Sequence, residues 1–228
     1  MIKECIGREY LLRWAANLGN QYQRESTHTL YIGTLAHEMI EYFLMFGAYK
    51  KIEFRSYRVK EKTERAFQNF LNWYNGRIEE GFKISVLNIE KRTTNPWFGG
   101  TMDCVMKLDY EGVSKTFIVD FKTSKKISME YLLQTYAYYW SENWNAKFNG
   151  DTTVPKLDGI GIIRIDKEKD VYEDLFLDLQ CPENYRFLVD IDRSLGSIIN
   201  WFYHSQVMNY DLTEIKKVRK DGFVNGKW

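Results

Sequence analysis

The run Gly99-Gly100-Thr101-Met102-Asp103, followed seventeen residues after its aspartate by Asp120-Phe121-Lys122, sets two carboxylates and an ammonium where strands can aim them together. Side chains two apart on a strand share a face, so Asp120 and Lys122 project together with Cα atoms roughly 6–7 Å apart. A neighbouring antiparallel strand lies about 4.8 Å away, and Asp103 converges on the pair if the register suits. Asp120 interrupts an otherwise apolar run from Phe117 to Phe121, where a buried, unpaired carboxylate loses several kcal/mol of hydration. A hard divalent cation compensates such a charge. Magnesium keeps several waters, so one or two carboxylates suffice, and the main-chain carbonyl of Phe121 is a further candidate ligand. The chemistry this suits is attack of an activated water on a phosphodiester, with Lys122 orienting the nucleophile or offsetting charge in the transition state. Taken alone, Asp-Xaa-Lys equally describes the end of a salt-bridged surface strand.

Three more side chains bear on that choice. His37 follows Gly33 by four residues beside an apolar helical stripe, so its imidazole can reach the same cavity as a metal ligand, favouring manganese, or can be a satisfied histidine at the core's edge. Gln134 and Tyr138 are four residues apart and share one helix face, where they contact substrate, brace a metal shell, or pack among Tyr136, Tyr139 and Trp140.

The elements that must position these groups are legible from periodicity. Ile32, Leu35, Ala36, Met39, Ile40 and Phe43 predict an amphipathic helix ending near Gly47, and a second helix is expected from Val59 to Tyr74. From Ile84 to Phe121 the period becomes two, predicting three strands, the last two joined by a hairpin at Asp109-Tyr-Glu-Gly112. Ser128 is expected to cap a helix with Glu130 in its first turn. A strand pair turning at Asp166 to Asp170 and a helix from Asn184 to Gln206 complete the order α, α, βββ, α, ββ, α. This is a mixed α/β fold: a central mixed sheet flanked by helices, expected as one domain with a core over about 30–205 and a basic tail over about 211–228.

Composition narrows the class. The 228 residues are 44% hydrophobic and 16% aromatic, with a formal charge of +1, enough for a sizeable core and no global polycation. Cys5, Cys104 and Cys181 are scattered and include no CxxC pair, against a disulfide framework or zinc module and in favour of a reducing cytoplasm. Neither a signal peptide nor a membrane span is expected. The absence of GxxxxGK[ST] and GxGxxG disfavours a nucleotide-dependent small-molecule enzyme.

In order along the chain, Gly33-Thr-Leu-Ala-His37, Gly99-Gly-Thr-Met-Asp103, Val119-Asp-Phe-Lys-Thr123 and Gln134-Thr-Tyr-Ala-Tyr138 resemble the signature series of RecB-like nucleases of the PD-(D/E)xK superfamily, across nearly half the chain. The resemblance implies an αβββαβ core of restriction-endonuclease type preceded by helices. It implies His37, Asp103 and Asp120 as ligands of one or two Mg2+ or Mn2+ ions, Lys122 as the catalytic lysine, and Gln134 with Tyr138 as the motif beyond it. Glu90, on the preceding strand, stands where relatives often carry a glutamate and would support the site. Relatives with an iron-sulphur cluster need four cysteines; Cys5 and Cys181 lack partners, so no cluster is expected. The function so implied is DNA hydrolysis, by analogy with a stand-alone exonuclease of recombination, repair or phage DNA processing, in the cytoplasm or that of a host. The alternative is a catalytically silent DNA-binding or assembly module on the same fold.

Two basic stretches suit phosphate in single- or double-stranded DNA. Residues 50–65 carry seven cations, Lys51, Arg55, Arg58 and Lys60 among them, against three glutamates, and residues 214–228 carry five, including Lys216, Lys217 and Arg219, against two acids. Trp73, Tyr74 and Trp97 are candidate base-stacking groups. Either stretch can equally be a solvated face.

Overall fold

The computed structural model describes residues 29–207 apart from 98, 152 and 154. The first helix, α1, covers 29–46; its stripe Ile32, Leu35, Ala36, Met39 and Ile40 is buried, as the spacing requires. It stops at Gly47, whose φ of 62° and N–H bond to Phe43 O (2.8 Å) make a left-handed cap. Helix α2 runs from Tyr57 to Glu79, longer at both ends than expected, because Ser56 Oγ accepts the Val59 N–H at 3.3 Å and the chain turns away only at Gly81, at φ 98°.

Strands β1 (Lys83–Thr94), β2 (Gly99–Tyr110) and β3 (Val113–Lys122) form an antiparallel meander, and β3 pairs in parallel with β4 (Gly159–Ile165), which β5 (Tyr172–Asp178) closes antiparallel. This is a mixed five-stranded sheet with helices. The β2–β3 hairpin turns on Glu111 and Gly112, both at positive φ (49° and 81°), the arrangement whose twist matches that of the strands. Every residue of β4 is buried, which explains its continuous apolar run. Gly159 lies so close to β5 that a Cβ there would sit 2.0 Å from Leu177 O.

The link between β3 and β4 is α3 (Met129–Trp144), extended by one π-helical turn over Asn145–Asn149. Ser128 holds the N-cap position, but its buried hydroxyl makes no capping bond, so the expected side-chain cap is absent and Glu130 alone complements this helix end. A last helix, α4, spans Tyr185–Val207. The chain divides into two compact units after Leu188, within this helix, where the sequence predicts a single domain.

The core on one face of the sheet is aromatic: Phe43, Phe67, Phe70, Trp73 and Phe121 interlock, with Phe70 and Phe121 perpendicular at 5.6 Å. Trp73 is buried, stacks on Phe176 and donates its indole N–H to Asp174 at 2.8 Å. Tyr74 packs edge-on against Phe43. Trp73 is thus not presented as a base platform, a correction to the sequence reading, while Tyr74 is half-buried.

One irregularity shapes the site. Ile89 packs into the aromatic core, yet Lys91, two residues on, reaches Glu142 on α3. On the partner strand Cys104 faces the core while Met102 packs with Tyr138 of α3. Both strands therefore exchange faces at the level of Glu90 and Asp103, where Glu90 takes φ 49°. We expect Gly159→Ala to cost several kcal/mol in urea unfolding, since backbone must move. Glu111→Asn should instead raise stability by about 0.5–1 kcal/mol, because asparagine tolerates the left-handed region better. A neutral Gly159→Ala would contradict the close β4–β5 approach.

Candidate functional site

The β2–β3 ladder ends at Cys104↔Val119. One residue beyond, Asp103 turns its carboxylate across the gap, and Oδ2 accepts the Phe121 N–H at 2.8 Å. The side chain thereby satisfies a donor the ladder has abandoned. The same oxygen lies 3.5 Å from His37 Nδ1. His37 comes from α1, which can approach the end of β3 because Gly33 faces Thr123: a Cβ there would already be 3.2 Å from Thr123 Oγ1. The His37 ring stands perpendicular to Phe121 at 6.2 Å.

Asp120 and Lys122 project to the α3 side. Asp120 is 2% exposed, and its Oδ2 is 2.5 Å from Lys122 Nζ. Burial pushes the Asp120 carboxyl above its ordinary range; Asp103 adds to this, while Lys122 and His37 oppose it. Burial works against the Lys122 ammonium, but Asp120 and Asp103 outweigh it and hold the lysine charged. Tyr131, in the first turn of α3, covers the ammonium with its ring 5.0 Å from Nζ. Gln134 donates to Tyr138 Oη at 2.9 Å. Burial raises the Tyr138 phenol, and Asp120, Lys122 and Asp103 all act on it, so this ring end borders the charged group. Gly100 permits that position, because a Cβ there would lie 2.5 Å from the Tyr138 ring.

His37, Glu41, Glu90, Phe121 and Lys122 line a cleft of about 590 Å³. Glu41 is the member that sequence reasoning missed. It lies one helical turn beyond His37 on α1, a spacing that puts both on one face and was the available signal. Burial first, then the charge of Glu90 and a hydrogen bond shared with it, raise the Glu41 carboxyl to about 7. Glu90 reaches this partner from the residue where β1 exchanges faces.

The donor set suits a hard divalent cation. Asp120 Oδ2 is buried without a well-aligned hydrogen bond despite its lysine neighbour, Asp103 lies beside His37, and the adjoining cleft is lined by the carboxylates of Glu38, Glu41 and Glu90. Among the described residues no three His, Cys, Asp or Glu side chains are grouped closely enough to hold a metal ion between them; a cation that retains several waters asks for fewer protein ligands.

The basic groups read from the sequence fare differently. Lys60 pairs with Glu64 at 3.8 Å, and Arg55 lies over the Tyr31 ring at 4.6 Å; Lys51 and Arg58 are exposed. Lys50, Lys62 and Arg65 pair with Glu38, Glu168 and Asp170, so part of the formal excess of this stretch is cancelled by acids from elsewhere. Trp97 is half-buried, edge-on to Trp140 and Trp144 at 5.3 and 4.7 Å. Lys216, Lys217 and Arg219 lie outside the described residues. Among those residues no helix is long and apolar enough to cross a membrane.

No protein-family model matches the chain, and no curated protein matches it in sequence. The site's geometry and its motif series therefore carry the functional reading.

The raised Glu41 carboxyl has a stability consequence. Between its ordinary value of 4.5 and about 7, the folded protein holds a proton that the unfolded chain has released, so this group makes stability fall as pH rises through that window. Glu41→Gln should add about 1–2 kcal/mol at pH 8, after discounting for solvent screening, and far less at pH 5. Urea unfolding at the two pH values measures this; an equal change at both would contradict the electrostatic cause. Gly100→Ala should displace the Tyr138 ring, seen as a changed near-ultraviolet tyrosine signal with the fold retained; an unchanged signal would contradict the close approach.

Proposed function

We propose that the chain is a divalent-metal-dependent deoxyribonuclease of the RecB-like PD-(D/E)xK type, hydrolysing phosphodiester bonds in DNA. The observation that carries this reading is the convergence of Asp103, Asp120 and Lys122 around Phe121, with His37 delivered to the same carboxylate from α1. Surface salt bridging does not account for it, because Asp120 is among the most buried polar residues of the chain, and a buried ion pair is a poor way to add stability.

Asp103, Asp120 and His37, with the Phe121 carbonyl, would hold the Mg2+ or Mn2+ ion; Glu41 and Glu90 would serve as outer support or hold a second ion. When bound, the cation supplies a lowered pKa for the attacking water and neutralises charge on the phosphate. Lys122 keeps its proton beside Asp120 and so presents a fixed positive charge to the developing phosphorane. Tyr131 shields that ammonium from water on one side. Gln134 orients the Tyr138 hydroxyl, which borders the acids and can donate to a phosphate oxygen or to a water. Asp103, by holding the Phe121 N–H, fixes the backbone between the two other catalytic groups.

The test is cleavage of labelled single- and double-stranded DNA with Mg2+, Mn2+ or EDTA. Asp120→Asn and Lys122→Ala should each lower the rate at least about 10²-fold, while both remain folded. Persistent cleavage by Asp120→Asn would remove the mechanism. Binding without cleavage by the wild type under either metal would favour a silent DNA-binding module.

A further inference from the structure

Beside the acidic cleft the fold builds a positive edge. Arg164 of β4 is buried, and its guanidinium donates to Ser124 O at 3.2 Å while pairing with Asp166 at 2.9 Å and Glu173 at 2.8 Å. One side chain thus ties the loop after β3 to the turn after β4, and sets Lys125 near Lys167. The turn itself is held from several sides. Asp166 Oδ1 accepts the N–H groups of Glu168 and Lys169. Asn69 of α2, 1% exposed, donates to the carbonyls of Asp166 and Lys169 at 2.7 Å each, and Lys62 and Arg65 clasp Glu168 and Asp170.

The residue this turn presents is Lys167, which is half-buried and lines the same cleft as His37, Glu41 and Lys122. The acids adjacent to it in the chain, Asp166 and Glu168, are already paired with Arg164 and Lys62. Burial pulls the Lys167 ammonium below its usual range; Glu168 and Asp166 oppose this, while Lys62 and Lys125 add to it. A cation partly stripped of water, whose neighbouring acids are held by other cations, on a turn rigidly fixed against α2, gains from an anion brought to it.

We propose that Lys167, with Lys125 beside it, is a phosphate anchor: it holds a second phosphate of the strand whose scissile phosphate lies at Asp103, Asp120 and Lys122. This rests on the nuclease reading and deepens it. A site with two phosphate-holding positions takes a polynucleotide in preference to a single phosphate ester, and fixes the strand's path across the cleft.

The experiment measures binding apart from cleavage. Anisotropy of a labelled twelve-nucleotide single strand is followed in EDTA across a salt series, for wild type, Lys125→Ala, Lys167→Ala, the double variant, and Lys169→Ala, whose exposed side chain lies on the same turn. The double variant should bind about tenfold more weakly, with the log–log salt slope shallower by about 0.7 per lysine removed. Lys169→Ala should change affinity much less. The anchor is overturned if the double variant keeps the wild-type slope, if Lys169→Ala matches Lys167→Ala, or if the wild type does not bind. Cleavage in Mg2+ is read separately: wild type that binds through these lysines yet never cuts overturns the nuclease reading and leaves the anchor standing. Cleavage with lysine-independent binding does the reverse.

Discussion

A carboxylate that has lost its water must be answered by the protein, and Asp120 sets this requirement at the end of a strand covered on both faces. Lys122 answers from the same strand, Tyr131 covers the lysine, and Tyr138 closes the α3 side over a glycine that makes room for it. Replacing such a pair by apolar groups of similar shape is often neutral or stabilising, so the fold gains little stability by keeping it. The pair makes sense as a charge kept ready for a ligand, and the unaligned Asp120 oxygen points the same way.

The second requirement is delivery. The groups come from both faces of the sheet, and a regular meander would separate them. The exchange of faces at Glu90 and Asp103 removes that obstacle: below it the two strands furnish the aromatic core, above it they furnish the layer under α3. Asp103 stands at the crossing, which is why one carboxylate oxygen can meet the Phe121 N–H and the imidazole from α1. The left-handed backbone of Glu90 is a local cost, of order 1 kcal/mol, accepted where it brings Glu90 to Glu41.

Much of this was legible in the sequence. The helical stripe of α1, the three alternating strands, the Glu111-Gly112 hairpin and the buried run of β4 follow from periods that only one element type can bury. Spacing makes Asp103, Asp120, Lys122, His37 and the Gln134–Tyr138 pair candidates, the resemblance of their motif series joins them, and the structure brings them to one neighbourhood. Glu41 was hidden because a glutamate on an amphipathic helix reads as solvated; what marks it is Glu90, which arrives through a non-glycine residue at positive φ that no period foretells. Trp73 shows the converse, since aromatic type does not separate a core packer from an exposed platform. Part of the charge of residues 50–65 is cancelled in a way the sequence does not show, because Glu168 and Asp170, which pair with Lys62 and Arg65, are about a hundred residues away. Lys167 was hidden for the same reason, as a turn lysine whose placement depends on Asn69 and Arg164.

In the proposed function the acidic centre would hold a cation and the basic turn a strand, so that phosphate would meet charges of both signs. The central claim is that Asp103 and Asp120 bind one divalent ion. Anomalous diffraction from crystals soaked in Mn2+ tests it most directly. The account requires a manganese peak bonded to both carboxylates at about 2.0–2.3 Å; manganese seated elsewhere, with Asp120 still held only by Lys122, would contradict it.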